Sequence, residues 1–229
     1  MDAVDPPLKR IRWTAAWRIV PSRFPPIGVF DRIADPADLD ALYAIEALTD
    51  ARLRNELGAL SSVPKERRIS GPGSTPVMAA FTHRNPDGSR FSDGSWGVFY
   101  AGRRIATAIE ETVYHRERFQ RATAEPPIDL EMRCYRCAID GRLHDLRGGW
   151  PEAHDANDYA ASRTLARRLR SAGSNGLVYD SVRDPGGECV AAFYPDLVAS
   201  CVQARHLIYR WNGERIAAVL EIGKVSLRD

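Results

Sequence analysis

Residues 88–115 read GSRFSDGSWGVFYAGRRIATAIEETVYH, and this stretch combines a turn, a short strand and the beginning of a helix. Turn-forming residues occupy positions 84–89, where Asn, Pro, Asp, Gly and Ser follow one another. The apolar run at 97–101 is typical of a short strand. From 104 to 122 apolar residues recur at helical spacing, which predicts an amphipathic helix. Its predicted apolar face comprises Ile105, Ile109, Thr112, Val113 and Phe119.

Upstream of this stretch, the sequence predicts a strand, a helix, a loop and a second strand. Residues 12–20 alternate as a strand does, and a proline follows them. The Asp-Pro pair at 35–36 supplies a helix N-cap and an N1 proline, and apolar residues at helical spacing continue to Gly58. Pro, Gly, Ser and charged residues over 61–75 predict a loop. The short apolar run at 77–81 then predicts a strand.

Downstream, the chain continues with short strands and one further helix. The Asn-Gly pair at 212–213 predicts a hairpin turn between the last two strands. Many short strands with about three helices, and no regular alternation of strand and helix, predict an α+β fold. The predicted downstream elements are strands at 128–139, 177–182, 189–193, 207–211 and 216–220, and a helix at 158–172.

The composition is that of a folded globular protein. Apolar residues make up 44% and charged residues 27% of 229 residues, and the mean hydropathy is −0.34. No window approaches the roughly 18–20 apolar residues of a membrane span, and no apolar signal region is visible. We therefore expect a cytoplasmic protein without membrane association. Because no repeat or linker divides the chain, we expect an N-terminal tail over 1–12 and one domain over 13–229.

The charge balance argues against direct binding to nucleic acid. The chain has 32 basic and 30 acidic residues, a formal net charge of +2, and no basic block. All but three of the basic residues are arginine. A GC-rich genome accounts for such a bias, but arginine is also the side chain best suited to bidentate phosphate recognition.

The cysteines and histidines do not predict a metal site. Cys134 and Cys137 form a C-x-x-C pair, but they fall within the predicted strand 128–139. Residues i and i+3 of a strand point to opposite faces, so the two sulfurs are poorly arranged to hold one metal ion. The five histidines are scattered without ligand spacing. We therefore expect structural cysteines and no metal.

A longer pattern resembles a known family. Arg90, in Gly-Ser-Arg-Phe-Ser, precedes Tyr100 by ten residues, and Tyr100 precedes Glu111 by eleven, with His115 following. This spacing resembles the RES domain, named for its arginine, glutamate and serine. Trp-Arg-Ile at 17–19 and Gly-Leu-Val-Tyr-Asp-Ser at 176–181 agree with the family in order, so the resemblance spans about 13–222.

The resemblance implies both a fold and a function. RES proteins are similar to ADP-ribosyltransferases, with split β-sheets around a cleft that holds NAD+. They are toxins of bacterial toxin–antitoxin pairs, and they either destroy NAD+ or transfer its ADP-ribose to a protein. The antitoxin is typically a helix-turn-helix protein that covers the cleft.

The residue chemistry fits this reaction. Breaking the nicotinamide–ribose bond passes through an oxocarbenium-like cation, which the carboxylate of Glu111 could stabilise. Arg18 and Arg90 offer planar donors for the diphosphate of NAD+. Tyr100 could stack on the nicotinamide ring, and Ser181 could donate a hydrogen bond to the substrate or to Glu111.

Simpler interpretations of the same residues remain open. Arg90 could be a solvated loop arginine, Tyr100 a core residue, and Ser181 the end of a strand. Glu110 has the same chemistry as its neighbour Glu111, and only the spacing from Tyr100 favours Glu111.

The chain also departs from the family pattern. Ser89 replaces the second glycine of Gly-Gly-Arg, and Phe-Ser replaces Trp-Asn at 91–92. An additional helix and loop occupy 35–75, where compact members have a shorter connection. We interpret the chain as an NAD+-consuming toxin that transfers ADP-ribose to a protein acceptor. The alternatives are an NAD+ glycohydrolase or phosphorylase and, more distantly, a non-enzymatic module that binds a nucleotide or partner.

Overall fold

A computed structural model describes residues 4–22, 30–32, 35–39 and 59–223, and its strands form a mixed sheet in the order β1-β2-β5-β4-β3-β6-β7. An additional pairing joins β1 to β3. The strands are β1 (Leu8–Pro21), β2 (Phe99–Gly102), β3 (Ile128–Asp145), β4 (Gly176–Asp180), β5 (Glu188–Ala192), β6 (Val198–Trp211) and β7 (Ile216–Ile222).

The sheet is split into two halves that meet at two narrow junctions. Strand β3 pairs with β1 and β6 along most of its length, and β6 pairs with β7, giving a four-stranded half. Strands β2, β5 and β4 form a three-stranded half. Among the strands that the structure describes, the halves are paired only at Trp17 with Gly102 and at the end of β3 with the beginning of β4. The predicted α+β fold is therefore confirmed.

Three α-helices with described bounds accompany the sheet: α1 (Thr75–Thr82), α2 (Ile105–Ala122) and α3 (Ala160–Ser171). Short 3-10 turns lie at Phe30–Arg32, Leu60–Ser62, Lys65–Arg67, Pro151–His154 and Pro195–Leu197. The predicted helices at 104–122 and 158–172 are confirmed as α2 and α3. In the part of the chain that the structure describes, no helix combines the length and apolar character needed to cross a membrane.

The strand predicted at 77–81 is wrong, because these residues belong to α1. Val77, Met78 and Phe81 are buried at helical spacing, and a run this short cannot be distinguished from a strand by its apolar character. Pro76 lies in the first turn, where proline is tolerated. The carboxylate of Asp31 accepts the Thr75 N–H at 2.8 Å and so satisfies one donor at the beginning of the helix.

Several element boundaries also differ from the prediction. Strand β3 continues to Asp145 instead of ending at 139, and β6 begins at Val198 instead of 207. Strand β1 begins at Leu8, so residues 8–12 of the predicted tail belong to the sheet. The final hairpin forms as predicted, but its turn spans 212–215, with the Asn212 N–H donating to Arg215 O at 3.1 Å. The helix predicted over 35–58 lies mostly outside the described residues. At its beginning, Asp35 Oδ1 accepts the Ala37 N–H at 2.8 Å, as an N-cap does.

Separate apolar cores support the two halves of the sheet. Helix α2 packs through Ile105, Ile109 and Val113 on the four-stranded half, and α3 packs through Ala166 and Leu169 on the three-stranded half. A third core lies between the halves and includes α1. Each half therefore carries its own helix.

The C-x-x-C cysteines lie in different cores. Cys134 packs in the core under α2, whereas Cys137 packs between the halves, where its sulfur lies against that of Cys201. This is the opposite-face arrangement that the strand predicted. Among the residues that the structure describes, no group of three or more His, Cys, Asp or Glu side chains could hold a metal ion.

Alternating charges bridge the junction between β3 and β4. Asp145, which is 4% exposed, pairs with Lys9 at 2.9 Å and with Arg147 at 2.8 Å. Arg147 also reaches Glu188 at 2.8 Å, and Glu188 pairs with Arg103. The hydrogen bonds from Arg147 hold the pKa of Asp145 well below its usual range. This network ties β1, β3 and β5 together where few backbone pairs do so.

Asp145→Asn should lower the free energy of unfolding at pH 7 by about 1.5–3 kcal/mol, because it removes charge-assisted hydrogen bonds from a buried group. A carboxylate with a depressed pKa stabilises the fold above its unfolded pKa of about 4, and this contribution is lost as the pH falls. Urea unfolding should therefore show a difference between wild type and variant that shrinks below about pH 4. Asp140→Asn on the same strand removes only exposed ion pairs with Arg10 and Arg12 and should cost less than about 1 kcal/mol. Equal losses in the two variants would contradict this assignment.

Candidate active site

A cleft of about 910 Å3 lies beside the junction of β1 and β2. Residues 17–19 and 100–102 line it from the sheet, α2 lines one side, and residues 83–90 and 157–163 contribute to the other. Its volume is at the upper end of the range for small-molecule sites, about 300–1,000 Å3. The cleft is therefore large enough for an extended ligand.

Glu111 and Ser181 meet in this region. Glu111 lines the cleft from α2, and Ser181 Oγ donates to Glu111 Oε1 at 2.6 Å. Ser181 is buried just after β4, where its N–H donates to Gly187 O at 2.8 Å. Glu110 is exposed and does not belong to the lining of the cleft. The structure thus brings the two predicted residues together and separates Glu110 from them.

The loop 181–187 is fixed to α2 by a second contact that sequence reasoning missed. Thr107 is completely buried one turn before Glu111, and its Oγ1 donates to Asp184 Oδ2 at 2.6 Å. The Asp184 N–H in turn donates to Ser181 Oγ at 2.9 Å. Thr107 and Glu111 are four residues apart and therefore lie on the same face of α2. This spacing is the sequence signal that both residues could contact the same loop.

Tyr100 faces the cleft but uses its hydroxyl within the protein. Its OH lies 2.8 Å from Ser89 Oγ and accepts the Phe91 N–H at 2.9 Å. Burial raises the pKa of Tyr100 to about 12, so the phenol stays protonated at neutral pH. Ser89, which departs from the family pattern, therefore anchors the turn that carries Arg90.

Arg90 is buried rather than a solvated loop arginine. Its Nη1 donates to Asp155 O at 2.7 Å and to Ala153 O at 3.2 Å. Its guanidinium lies 4.5 Å from the centroid of the Tyr159 ring. Arg90 also lines the cleft, and it connects the turn at 88–92 to residues 153–159 on the same side. No sequence pattern predicts this contact, because residues 153–159 lie far from Arg90 in the sequence and approach it only in the folded chain.

Arg18 lies on the cleft side of β1 with little compensation for its charge. Its Nη1 donates to Tyr100 O at 3.2 Å, and its guanidinium lies 4.8 Å from the centroid of the Phe99 ring. Its buried Nε has no hydrogen-bond partner within the described part of the chain. Burial lowers the pKa of Arg18, which expresses the cost of keeping this cation in the fold.

The cleft as a whole has an excess of positive charge. Six arginines and three carboxylates line it. Among the described residues, none of these arginines forms an ion pair with a carboxylate. Such a lining attracts anions. The charged residues are Arg18, Arg84, Arg90, Arg116, Arg118 and Arg163, with Asp87, Glu111 and Asp158.

His115 lies one turn beyond Glu111 and also lines the cleft. Desolvation by the surrounding walls, followed by the charges of Arg183 and Arg116, lowers its pKa to about 4, although its ring remains open to the cleft. The imidazole is therefore neutral at pH 7 and adds no charge to the site.

Residues 65–212 match the RES domain family. The chain belongs to the RES domain family. It is 31% identical over 208 residues to the uncharacterized protein y4oC of Sinorhizobium fredii, covering 88% of this chain and 84% of that protein. A chain in the crystal structure of the M. tuberculosis MbcT–MbcA toxin–antitoxin complex is similar with a TM-score of 0.45 and 11% identity, covering 86% of each chain.

Family membership confirms the resemblance drawn from Arg90, Tyr100 and Glu111. The structure itself confirms the expected α+β fold, with a split sheet and, among the described residues, three α-helices with described bounds. RES proteins are toxins that act on NAD+, and this is the general function that membership brings to the chain. The fate of the ADP-ribose is a separate question.

The contact between Thr107 and Asp184 should be measurable as a coupling energy. A charge-assisted hydrogen bond of this kind predicts a coupling of about 1.5–3 kcal/mol between Thr107→Val and Asp184→Asn in a double-mutant cycle of urea unfolding. Thr164→Val is the matched control, because Thr164 is exposed on α3 and, within the described part of the chain, bonds only to Ala160 O. Its cycle with Asp184→Asn should be additive to within about 0.5 kcal/mol. Additivity in the Thr107 cycle would show that this contact does not hold the loop.

Proposed function

We propose that the chain is a toxin that cleaves the nicotinamide–ribose bond of NAD+ and transfers ADP-ribose to a protein acceptor. The observation that carries the proposal is the hydrogen bond from Ser181 to Glu111 at the wall of a positively charged cleft. A carboxylate held in this way is oriented before substrate arrives, and the surrounding arginines favour an anionic ligand. Both features suit a reaction that develops positive charge on an anionic substrate.

The proposed reaction is a substitution at C1′ of the nicotinamide ribose. The bond between C1′ and the nicotinamide nitrogen breaks, and its electron pair leaves with nicotinamide. The ribose acquires oxocarbenium character, and Glu111 stabilises that charge. The nucleophile of the acceptor then bonds to C1′ and releases its proton. Ser181 keeps the carboxylate in position by donating to one of its oxygens.

The remaining predicted residues have binding roles in this proposal. Arg18 and Arg90 contact the diphosphate, where a planar guanidinium suits phosphate oxygens. Tyr100 presents its ring to the nicotinamide while its hydroxyl holds the turn at 88–92. No metal is required, because the charges come from side chains.

A toxin that consumes NAD+ inside the cell that makes it needs a neutralising partner. We therefore include a cognate antitoxin in the proposal, with a helix-turn-helix region and a surface that covers the cleft. The uncompensated arginines support a partner that supplies negative charge.

Glu111→Gln should lower the rate of nicotinamide release from NAD+ by about 10²–10³-fold, because it removes a charge that stabilises the transition state. Glu110→Gln is the matched control and should stay near the wild-type rate, because Glu110 is exposed outside the cleft. Nicotinamide release is measured by chromatography of reactions that contain purified protein, NAD+ and cell lysate. Equal activity of the two variants would sink the assignment of Glu111. Cleavage that yields free ADP-ribose alone would make the chain a glycohydrolase instead of a transferase.

Arg18→Met should weaken NAD+ binding without weakening the fold. Loss of a charge-assisted contact to phosphate predicts a dissociation constant raised roughly tenfold or more. Burying a charge without an ion partner costs free energy, so its removal should leave the free energy of unfolding unchanged or raise it. Calorimetric titration with NAD+ in the Glu111→Gln background tests the predicted loss of binding. Urea unfolding of the free protein tests the predicted effect on stability. A variant that binds NAD+ normally but unfolds more easily would identify Arg18 as structural.

A further inference from the structure

One face of α2 continues from Glu111 to the mouth of the cleft. His115, Arg118, Phe119 and Ala122 follow Glu111 at helical spacing, and all of them line the cleft. We call these four residues the α2 stripe. At 1.5 Å per residue, the stripe extends roughly 16 Å along the helix from Glu111. It therefore forms a continuous surface from the proposed reacting centre to the outside.

The stripe exposes an aromatic ring beside arginine. Phe119 is 45% exposed, although the helical periodicity assigned it to the apolar face. The Arg116 guanidinium lies 5.4 Å from the centroid of its ring, and Arg118 is exposed next to it. Aromatic residues, phenylalanine among them, and arginine are enriched at protein interfaces relative to the rest of the surface. An exposed phenylalanine at the cleft mouth thus fits contact with another protein.

The charge of the cleft exceeds what NAD+ needs. The lining carries three more arginines than carboxylates. NAD+ brings two phosphate charges, and its cationic nicotinamide offsets one of them. Positive charge therefore remains after NAD+ binds, and Arg116 and Arg118 place part of it beside the stripe. A second ligand that meets this surface should be acidic.

We propose that the α2 stripe binds the protein acceptor, and that the acceptor presents acidic side chains next to the residue that is modified. The inference rests on the proposed transfer of ADP-ribose to protein. An acceptor has to reach C1′ of the ribose from outside, and the stripe leads from Glu111 to the surface. Phe119 contacts the apolar part of the acceptor, and Arg118 pairs with its carboxylates.

The test is a partition ratio, defined as protein-bound ADP-ribose divided by total nicotinamide released. NAD+ labelled in its adenylate phosphate is incubated with bacterial cell lysate and each purified variant. Arg118→Glu replaces attraction with repulsion and should lower the ratio about tenfold. Phe119→Ser should also lower it. Arg142→Glu, an equivalent charge reversal at an exposed position of β3 outside the lining, should leave the ratio at the wild-type value.

A direct binding measurement tests the acidic character of the acceptor. Fluorescent poly-L-glutamate should bind the wild type more tightly than poly-L-glutamine does, and Arg118→Glu should weaken that binding about tenfold. Arg142→Glu should bind as the wild type does.

The outcomes separate the inference from the function on which it rests. Nicotinamide release without any protein label from the wild type overturns transfer itself. Protein labelling with an unchanged ratio in Arg118→Glu, or no preference for poly-L-glutamate, overturns only the role of the stripe. If Arg118→Glu lowers nicotinamide release and protein labelling in parallel, Arg118 acts in NAD+ binding, and this result likewise contradicts the inference.

Discussion

The hydrogen bond between Ser181 and Glu111 crosses the gap between the two halves of the protein. Glu111 belongs to α2, which packs on the four-stranded half, whereas Ser181 follows β4 of the three-stranded half. Few backbone pairs connect these halves, so side chains must fix their relative position. The contact between Thr107 and Asp184 and the charges around Asp145 serve the same purpose. The site thus depends on side-chain contacts that hold together two halves of a sheet with few backbone pairs between them.

In the free protein, the cleft between these halves carries an excess of positive charge, which is electrostatically unfavourable. Arg18 keeps a positive charge with a buried, unpartnered nitrogen, and the neighbouring arginines have no carboxylate partners within the described part of the chain. A fold selected for stability alone would pair these charges or replace them with apolar groups. Their presence is explained by an anionic ligand that completes the site. The cost to stability and the capacity to bind therefore have the same origin.

Much of the fold could be predicted from local patterns. The turn, strand and helix over 84–122 and the final hairpin follow from residue types and their periodicity. The strand predicted at 77–81 was wrong because so short an apolar segment does not distinguish helical from strand periodicity. Asp31, which is distant in sequence, supports the helix there. Residues 8–12 joined the sheet because β3 is long enough to pair with them.

The site was less accessible to sequence reasoning. Glu110 and Glu111 have the same chemistry, and in the sequence only the spacing from Tyr100 favoured Glu111. Only the folded chain distinguishes them, through Ser181. The burial of Arg90 and the contact of Thr107 with Asp184 depend on segments far apart in sequence. Spacing within a family motif nevertheless led to Glu111 and Ser181, which the folded chain brings into contact.

The central claim is that this cleft breaks the bond between nicotinamide and ribose. Proton NMR of NAD+ incubated with purified protein and cell lysate tests it directly, because free nicotinamide and the nicotinamide ring of intact NAD+ give distinct resonances. The account predicts that free nicotinamide appears while the H1′ signal of the nicotinamide ribose disappears, at a rate proportional to protein concentration. If NAD+ signals broadened on binding but stayed intact for hours, the chain would be a nucleotide-binding module, and the enzymatic account would be wrong.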